Sequence, residues 1–178
     1  MYETVSAELT QFGLRVETGN NPIRVEGYKV TAFELWEQLG GKIPDFIAVP
    51  TSATGHVRGI FKGFRELLEA GYIKQLPKII IVQAKNANPI VNAIKSGKNT
   101  IILVSHPQTV AGAIKSEKPL GGNGIIALAR KYDWLAEDVT EEEIIESQVK
   151  LAQAGYFVEP SSATTLAAVK KLREAGKI

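Results

Sequence analysis

Two short β-branched runs with one strongly patterned helical stretch between them constrain this chain more than any other feature. "DFIAVP" (45–50) and "KIIIVQA" (78–84) are apolar at successive positions, as in strands of a parallel sheet that is covered on both faces. Between them lies "GHVRGIFKGFRELLEAG". Its Val57, Ile60, Phe61, Phe64, Leu67 and Leu68 recur at helical spacing, and Gly71 offers a C-terminal stop.

The rest of the chain extends the same alternation. "FGLRV" (12–16) and "TIILV" (100–104) are further strand candidates. "RVEGYKVTAFELWEQLGG" (24–41) reads as one helix ending in two glycines. "TEEEIIESQVKLAQAG" (140–155) opens with Thr140 and Glu143 in capping-box spacing, and its acidic first turn suits the helix dipole. A short strand ends at Glu159-Pro160, and "SSATTLAAVKKLREAG" (161–176) reads as a last helix, with Leu166, Val169 and Leu172 in line. The predicted fold is α/β, a parallel sheet with helices on both faces, in a single domain over 1–178. "KPLGGNG" (118–124) reads as a loop inside that domain.

Composition narrows the chemistry. At 178 residues, the chain can bury one real core. The net charge is +2 with no dense basic block, so neither nucleic acid nor a membrane is the expected partner. The absence of Cys excludes disulfides, thiolate metal sites and Cys nucleophiles, and two histidines make a His-based metal site a poor expectation. With no membrane-length apolar run and no signal-like start, the expected location is the cytoplasm.

The junction "PTSATGHVRGIFKGF" (50–64) carries the chemistry. A strand–loop–helix unit places unpaired backbone N–H groups at a helix start, where the dipole favours an anion. Thr51, Ser52 and Thr54 add hydroxyl donors, and Gly55 permits close approach. The loop is neither a Walker A motif nor GxGxxG. Ordinary turn chemistry explains the same small polar residues, so both readings stand at this level.

Four stretches in order, "NPIRVEGYKVTAFELWEQLG", "PDFIAVPTSATGHVRGIFKGFRELLEAGYIKQLPKIIIVQA", "QTVAGAI" and "YFVEPSSATTLAAVKKL", resemble the later part of threonine synthases. These belong to the fold-type-II family of pyridoxal-phosphate (PLP) enzymes. "NPIRVEG" resembles the family's NPYRIEG, and "VPTSATGHVRGIFKGF" sits where the family has a VP-GNGGN loop and its helix. The resemblance implies the large-domain fold of those enzymes in incomplete form, PLP as cofactor, and conversion of O-phosphohomoserine to threonine and phosphate. It also implies that Ser52, Ala53, Thr54, Gly55 and His56 cradle the PLP phosphate and that Arg24 binds the substrate phosphate. From the residues alone, Arg24 reads equally as a surface arginine paired with Glu26 or Glu17.

This chain also departs from the family. The family attaches PLP through a Lys in an S-F-K-D-R-like segment, and nothing here resembles it; Lys62 belongs to the helix after the loop. No catalytic residue is therefore assigned, and the chain reads as the middle-to-late part of a threonine synthase, inactive alone. Ser52 and Thr54 stand where the family has glycines, Ala53 where it has the loop Asn, and Thr18-Gly19 where an Asn-Ser pair precedes NPYR. The expected partners are a complementing chain that carries the N-terminal part and a second copy in a homo-oligomer. Two other functions stay open: a phosphometabolite-binding module or subunit derived from the enzyme, and part of another fold-type-II enzyme such as a dehydratase.

The remaining candidates carry plainer expectations. Trp36 is core or interface packing. His56 donates to a phosphate or serves as a capping or surface residue. His106 before Pro107 is a loop residue, and Ser161 and Ser162 either cap their helix or border the cofactor pocket.

Overall fold

The structure is a computed structural model that describes residues 2–14 and 21–178. Among the described residues three strands, β1 (Phe46–Pro50), β2 (Lys78–Ala84) and β3 (Leu135–Val139), form a wholly parallel sheet in the order β1-β2-β3. Ala48 lies beside Ile80, and Val82 beside Glu137. The helices are α1 (Tyr2–Gln11), α2 (Pro22–Tyr28), α3 (Val30–Gln38), α4 (Gly55–Glu69), α5 (Pro89–Lys95), α6 (Gly122–Lys131), α7 (Glu141–Gln153) and α8 (Pro160–Glu174). Short 3-10 turns occupy Lys85–Ala87 and Gly112–Ile114.

Strand periodicity divides the core into two. Ile79 and Ile81 point to one face of β2, where they join Val57, Ile60, Phe61 and Phe64 of α4, Ile90 of α5 and Ile125 of α6. Ile80 and Val82 point to the other face and meet Ala167, Ala168 and Leu172 of α8. Each large apolar side chain buried this way contributes roughly 1.5–3 kcal/mol. The helical spacing in α4 thus lays that helix on the sheet and sets its N-terminus at the carboxyl edge, beyond Pro50. The capping box of α7 forms as predicted. Thr140 Oγ1 accepts from Glu143 N at 3.3 Å, and Glu143 Oε2 accepts from Thr140 N at 2.8 Å.

Four sequence expectations of helices and strands change, and the loop read over 118–124 gives way at Gly122 to the start of α6. The helix predicted over 24–41 is two helices, α2 and α3, separated at Lys29; there the chain tightens, with Ala32 N donating to Lys29 O at 3.0 Å. Residues 100–104 form no strand. Their amides go elsewhere: Ile101 N donates to Asn123 Oδ1 (2.9 Å) and Ile102 N to Pro89 O (3.1 Å). Residues 12–14 form the turn that ends α1, with Gly13 at φ +71° and Leu14 N donating to Leu9 O, while residues 15 and 16 of that candidate strand lie outside the described residues. No strand precedes Pro160 either; the third strand is β3, built on "LAEDV". Trp36 packs against the core edge-on to Tyr72, with ring centroids 5.2 Å apart.

Candidate anion site at the β1–α4 turn

The turn begins with a residue folded inward. Thr51 is buried; its N–H donates to Val82 O at 2.8 Å and its hydroxyl to Val49 O at 2.8 Å. The Thr51 hydroxyl is therefore spent inside the sheet, which corrects its predicted role as a ligand donor. Its carbonyl accepts from Gln83 Nε2 at 3.0 Å. Gln83 is completely buried at the end of β2, and its Oε1 accepts from Ile90 N (2.9 Å) and Val91 N (3.0 Å) in the first turn of α5. One carboxamide thus anchors the turn and satisfies two amides of a neighbouring helix start.

Beyond Thr51, Ser52 and Ala53 are half-buried, Thr54 and Gly55 are buried, and His56 is exposed. Thr54 takes a left-handed conformation, φ +74°, which is uncommon for a β-branched residue. The first backbone bond of α4 runs from Arg58 N to Thr54 O (3.1 Å). The N–H groups of Gly55, His56 and Val57 precede it, so the helix itself supplies them no carbonyl, and they stand at the positive end of the dipole. The Tyr28 ring lies edge-on to His56, with centroids 5.4 Å apart. Although one side of the imidazole meets solvent, partial burial pushes its pKa below the usual histidine value. At neutral pH, His56 is an N–H donor and not a cation.

Arg24 approaches from α2. Its Nη2 donates to Tyr28 Oη at 2.6 Å, and its guanidinium carbon sits 5.5 Å from the centre of the Tyr28 ring. Glu26, the alternative partner weighed from sequence, is engaged by Lys29 at 2.9 Å and by Lys62. Glu17, the other alternative, and Thr18-Gly19 lie outside the described residues. Two glycines make this juxtaposition possible. A Cβ on Gly59 of α4 would collide with Tyr28 Cβ and stand 2.9 Å from Val25 O; one on Gly63 would collide with Lys29 O and stand 2.7 Å from Ala32 Cβ. The α2–α3 pair therefore rests directly on the backbone of α4. The sequence-predicted site residues come together in one region: 52–56 in the turn itself, and Arg24 one tyrosine away.

Other candidates are placed less centrally. Lys62 lies half-exposed between Glu26 and Glu66, and no lysine is buried among the described residues. Ser161 does not cap α8. The cap position is Glu159, and Ser161 Oγ, buried, accepts from Ala113 N at 3.2 Å. His106 is an exposed loop residue at φ +51°. Among the described residues, no helix is long and apolar enough to cross a membrane.

A parallel α/β sheet with an anchored strand–loop–helix turn at its carboxyl edge defines a protein of the open α/β class, in which ligands bind in the crevice outside the carboxyl ends of the strands. The profile of the pyridoxal-phosphate dependent enzyme family matches residues 4–178, and the chain belongs to that family. It is 42% identical over 159 residues to the threonine synthases of Methanocaldococcus jannaschii and Methanosarcina acetivorans, an alignment that takes in 89% of this chain and 39% of each of those proteins. The chain thus spans about two fifths of the length of the curated relatives it matches. Its fold superposes on the processed form of threonine deaminase isoform 2 from Solanum lycopersicum with a TM-score of 0.78 at 20% identity, covering 98% of this chain and 48% of that one.

Family membership implies PLP as the cofactor. The donor set here suits its phosphate: helix-start amides, a neutral imidazole and the Ser52 hydroxyl. For the cofactor's covalent attachment, the described residues offer no buried lysine of the kind whose pKa a dry pocket lowers.

Proposed function

We propose that this chain is the phosphate-loop portion of a threonine synthase that uses PLP to convert O-phosphohomoserine to threonine and phosphate. The observation that carries the reading is the convergence of the 52–56 turn and Arg24 through Tyr28 and His56. The likeness to named threonine synthases supports it. When bound, PLP supplies an electron sink for carbanion chemistry next to an amino group. The chain's own residues then divide the work of holding anions. The α4 amides, Ser52 and His56 bind the cofactor phosphate, and the Arg24 fork binds the dianion of the substrate.

The lysine lies outside these 178 residues, in the rest of the enzyme or on a complementing polypeptide, and these residues alone are inactive. Exposed apolar side chains support a missing partner surface: Phe157 is 90% exposed and Ile23 79%. A second reading, an anion-binding module derived from the enzyme, is favoured by the turn itself, where Ser52, Ala53 and Thr54 replace a glycine-rich cradle.

Calorimetry and thermal unfolding with inorganic phosphate, O-phosphohomoserine and PLP test these readings. Both expect phosphate to protect the chain. The enzyme reading adds that O-phosphohomoserine protection is lost in Arg24→Ala and that turnover appears only with a polypeptide bearing the lysine segment. A borohydride-stable PLP adduct formed by this chain alone would overturn the divided-site reading.

A further inference from the structure

We propose that Tyr28 is a positioning residue that holds the Arg24 guanidinium in register with the α4 turn. The inference rests on the reading of Arg24 as the arginine that binds the substrate phosphate. Arg24 is exposed and stands on α2, a helix of seven residues, so nothing in its own backbone confines a long flexible side chain. Tyr28 lies one helical turn later on the same face and is half-buried. Its hydroxyl oxygen accepts from Arg24 Nη2 at 2.6 Å, a charge-assisted bond.

The tyrosine is itself held at two further points. Its Cβ and backbone sit against Gly59, with space for no side chain between them. Its ring meets the His56 imidazole edge-on at 5.4 Å and 64°. Gly59 and His56 both belong to the first turns of α4, the helix whose N-terminus forms the anion site. A continuous series of contacts, from Gly59 and His56 through Tyr28 to Arg24, therefore ties the guanidinium to the turn. Only one terminal nitrogen of Arg24 is engaged by Tyr28. Among the described residues, no other hydrogen bond or ion pair engages the fork, which leaves its remaining donors for a dianion. Held this way, the guanidinium loses less freedom when it binds an anion, and the site is tighter for it.

The test uses the full chain, with inorganic phosphate and O-phosphohomoserine as probes and three variants: Arg24→Ala, Tyr28→Phe and the double. Tyr28→Phe keeps the ring and its packing and removes only the hydroxyl. It should unfold close to the wild-type temperature and bind O-phosphohomoserine about two- to tenfold more weakly, the size of the ordering cost of one long side chain. The double variant should bind no more weakly than Arg24→Ala, since both lose the same interaction. NMR order parameters of the Arg24 Nε–H group should fall in Tyr28→Phe without any ligand. Wild-type affinity and an unchanged order parameter in Tyr28→Phe, with affinity lost in Arg24→Ala, would sink the positioning role and leave the proposed function standing. Wild-type affinity in Arg24→Ala, or no binding by the wild-type chain, would remove the reading of Arg24 and this role with it.

Discussion

Gln83 holds Thr51 from the neighbouring strand: its Nε2 donates to the Thr51 carbonyl at 3.0 Å while its Oε1 takes the amides of Ile90 and Val91. A polar side chain near the end of "KIIIVQA" thus fixes the start of the β1–α4 turn and the start of α5 in one step. Gln83→Leu keeps the volume but leaves one carbonyl and two amides buried without partners. The expected loss is on the order of 3 kcal/mol, read from urea denaturation. An unchanged midpoint would mean that the turn is anchored by Thr51 alone.

Gly59→Ala and Gly63→Ala should each destabilise the protein by about 1–3 kcal/mol, because the colliding atoms are backbone and Cβ and cannot swing away. At an exposed helix position, the same change would stabilise by about 1 kcal/mol. Gly124→Ala is the control. There the new Cβ meets the end of the Arg58 side chain, which can move, so thermal unfolding should stay within about 0.5 kcal/mol of wild type.

Acid should weaken the edge of β3 through Asp138. Burial works to raise the pKa of its carboxyl, but hydrogen bonds from Lys95 and Asn88 outweigh it and hold the pKa below the usual carboxylate value. A depressed carboxylate pKa contributes stability above the unfolded-state value of about 3.9, and that stability is lost as pH falls through the folded-state value. Lys95 has the opposite sign. Burial works to lower its pKa, but Asp138 and Glu137 raise it overall, so its contribution persists below the unfolded-state value of about 10.4 and disappears as pH rises through the folded one. Urea midpoints measured against pH should show a steep acid limb in the wild type and a shallower one in Asp138→Asn.

Thr54→Gly relieves a left-handed threonine but adds freedom to the unfolded chain, so stability should change by less than about 1 kcal/mol. Its effect should appear in binding instead. With no Cβ at that position, inorganic phosphate approaches the turn more closely, and calorimetry should find tighter binding. Weaker binding would show that the Thr54 side chain is itself part of the anion site.

The readability of this fold from sequence follows where the stabilising partners lie. β1, β2 and α4 declare themselves because burial on whole faces leaves an apolar period in the sequence. The α7 capping box is legible because both partners sit within four residues. β3 is hidden by Glu137 and Asp138 in "LAEDV". Their partner Lys95 lies 42 residues before Glu137, and Lys171 comes from α8. "TIILV" misleads in the opposite sense: it has strand composition, but Asn123 and Pro89 take its amides and no ladder forms. At the candidate site, the turn was visible as small residues after an apolar run. Gln83 and Tyr28 carry no such mark, since a lone glutamine in a strand and a lone tyrosine in a helix say nothing about which distant groups they reach. The glycines four apart in α4 were the available signal that another helix crosses there.

The crossing at Gly59 and Gly63 has a bearing on how the proposed site could change its ligand. Where backbone meets backbone, no rotamer can adjust to let α2 slide or tilt along α4. A larger or smaller guest can be accommodated only by exchanging the groups that α2 carries at its rim, so any evolution of selectivity here proceeds by swapping tips on a fixed frame.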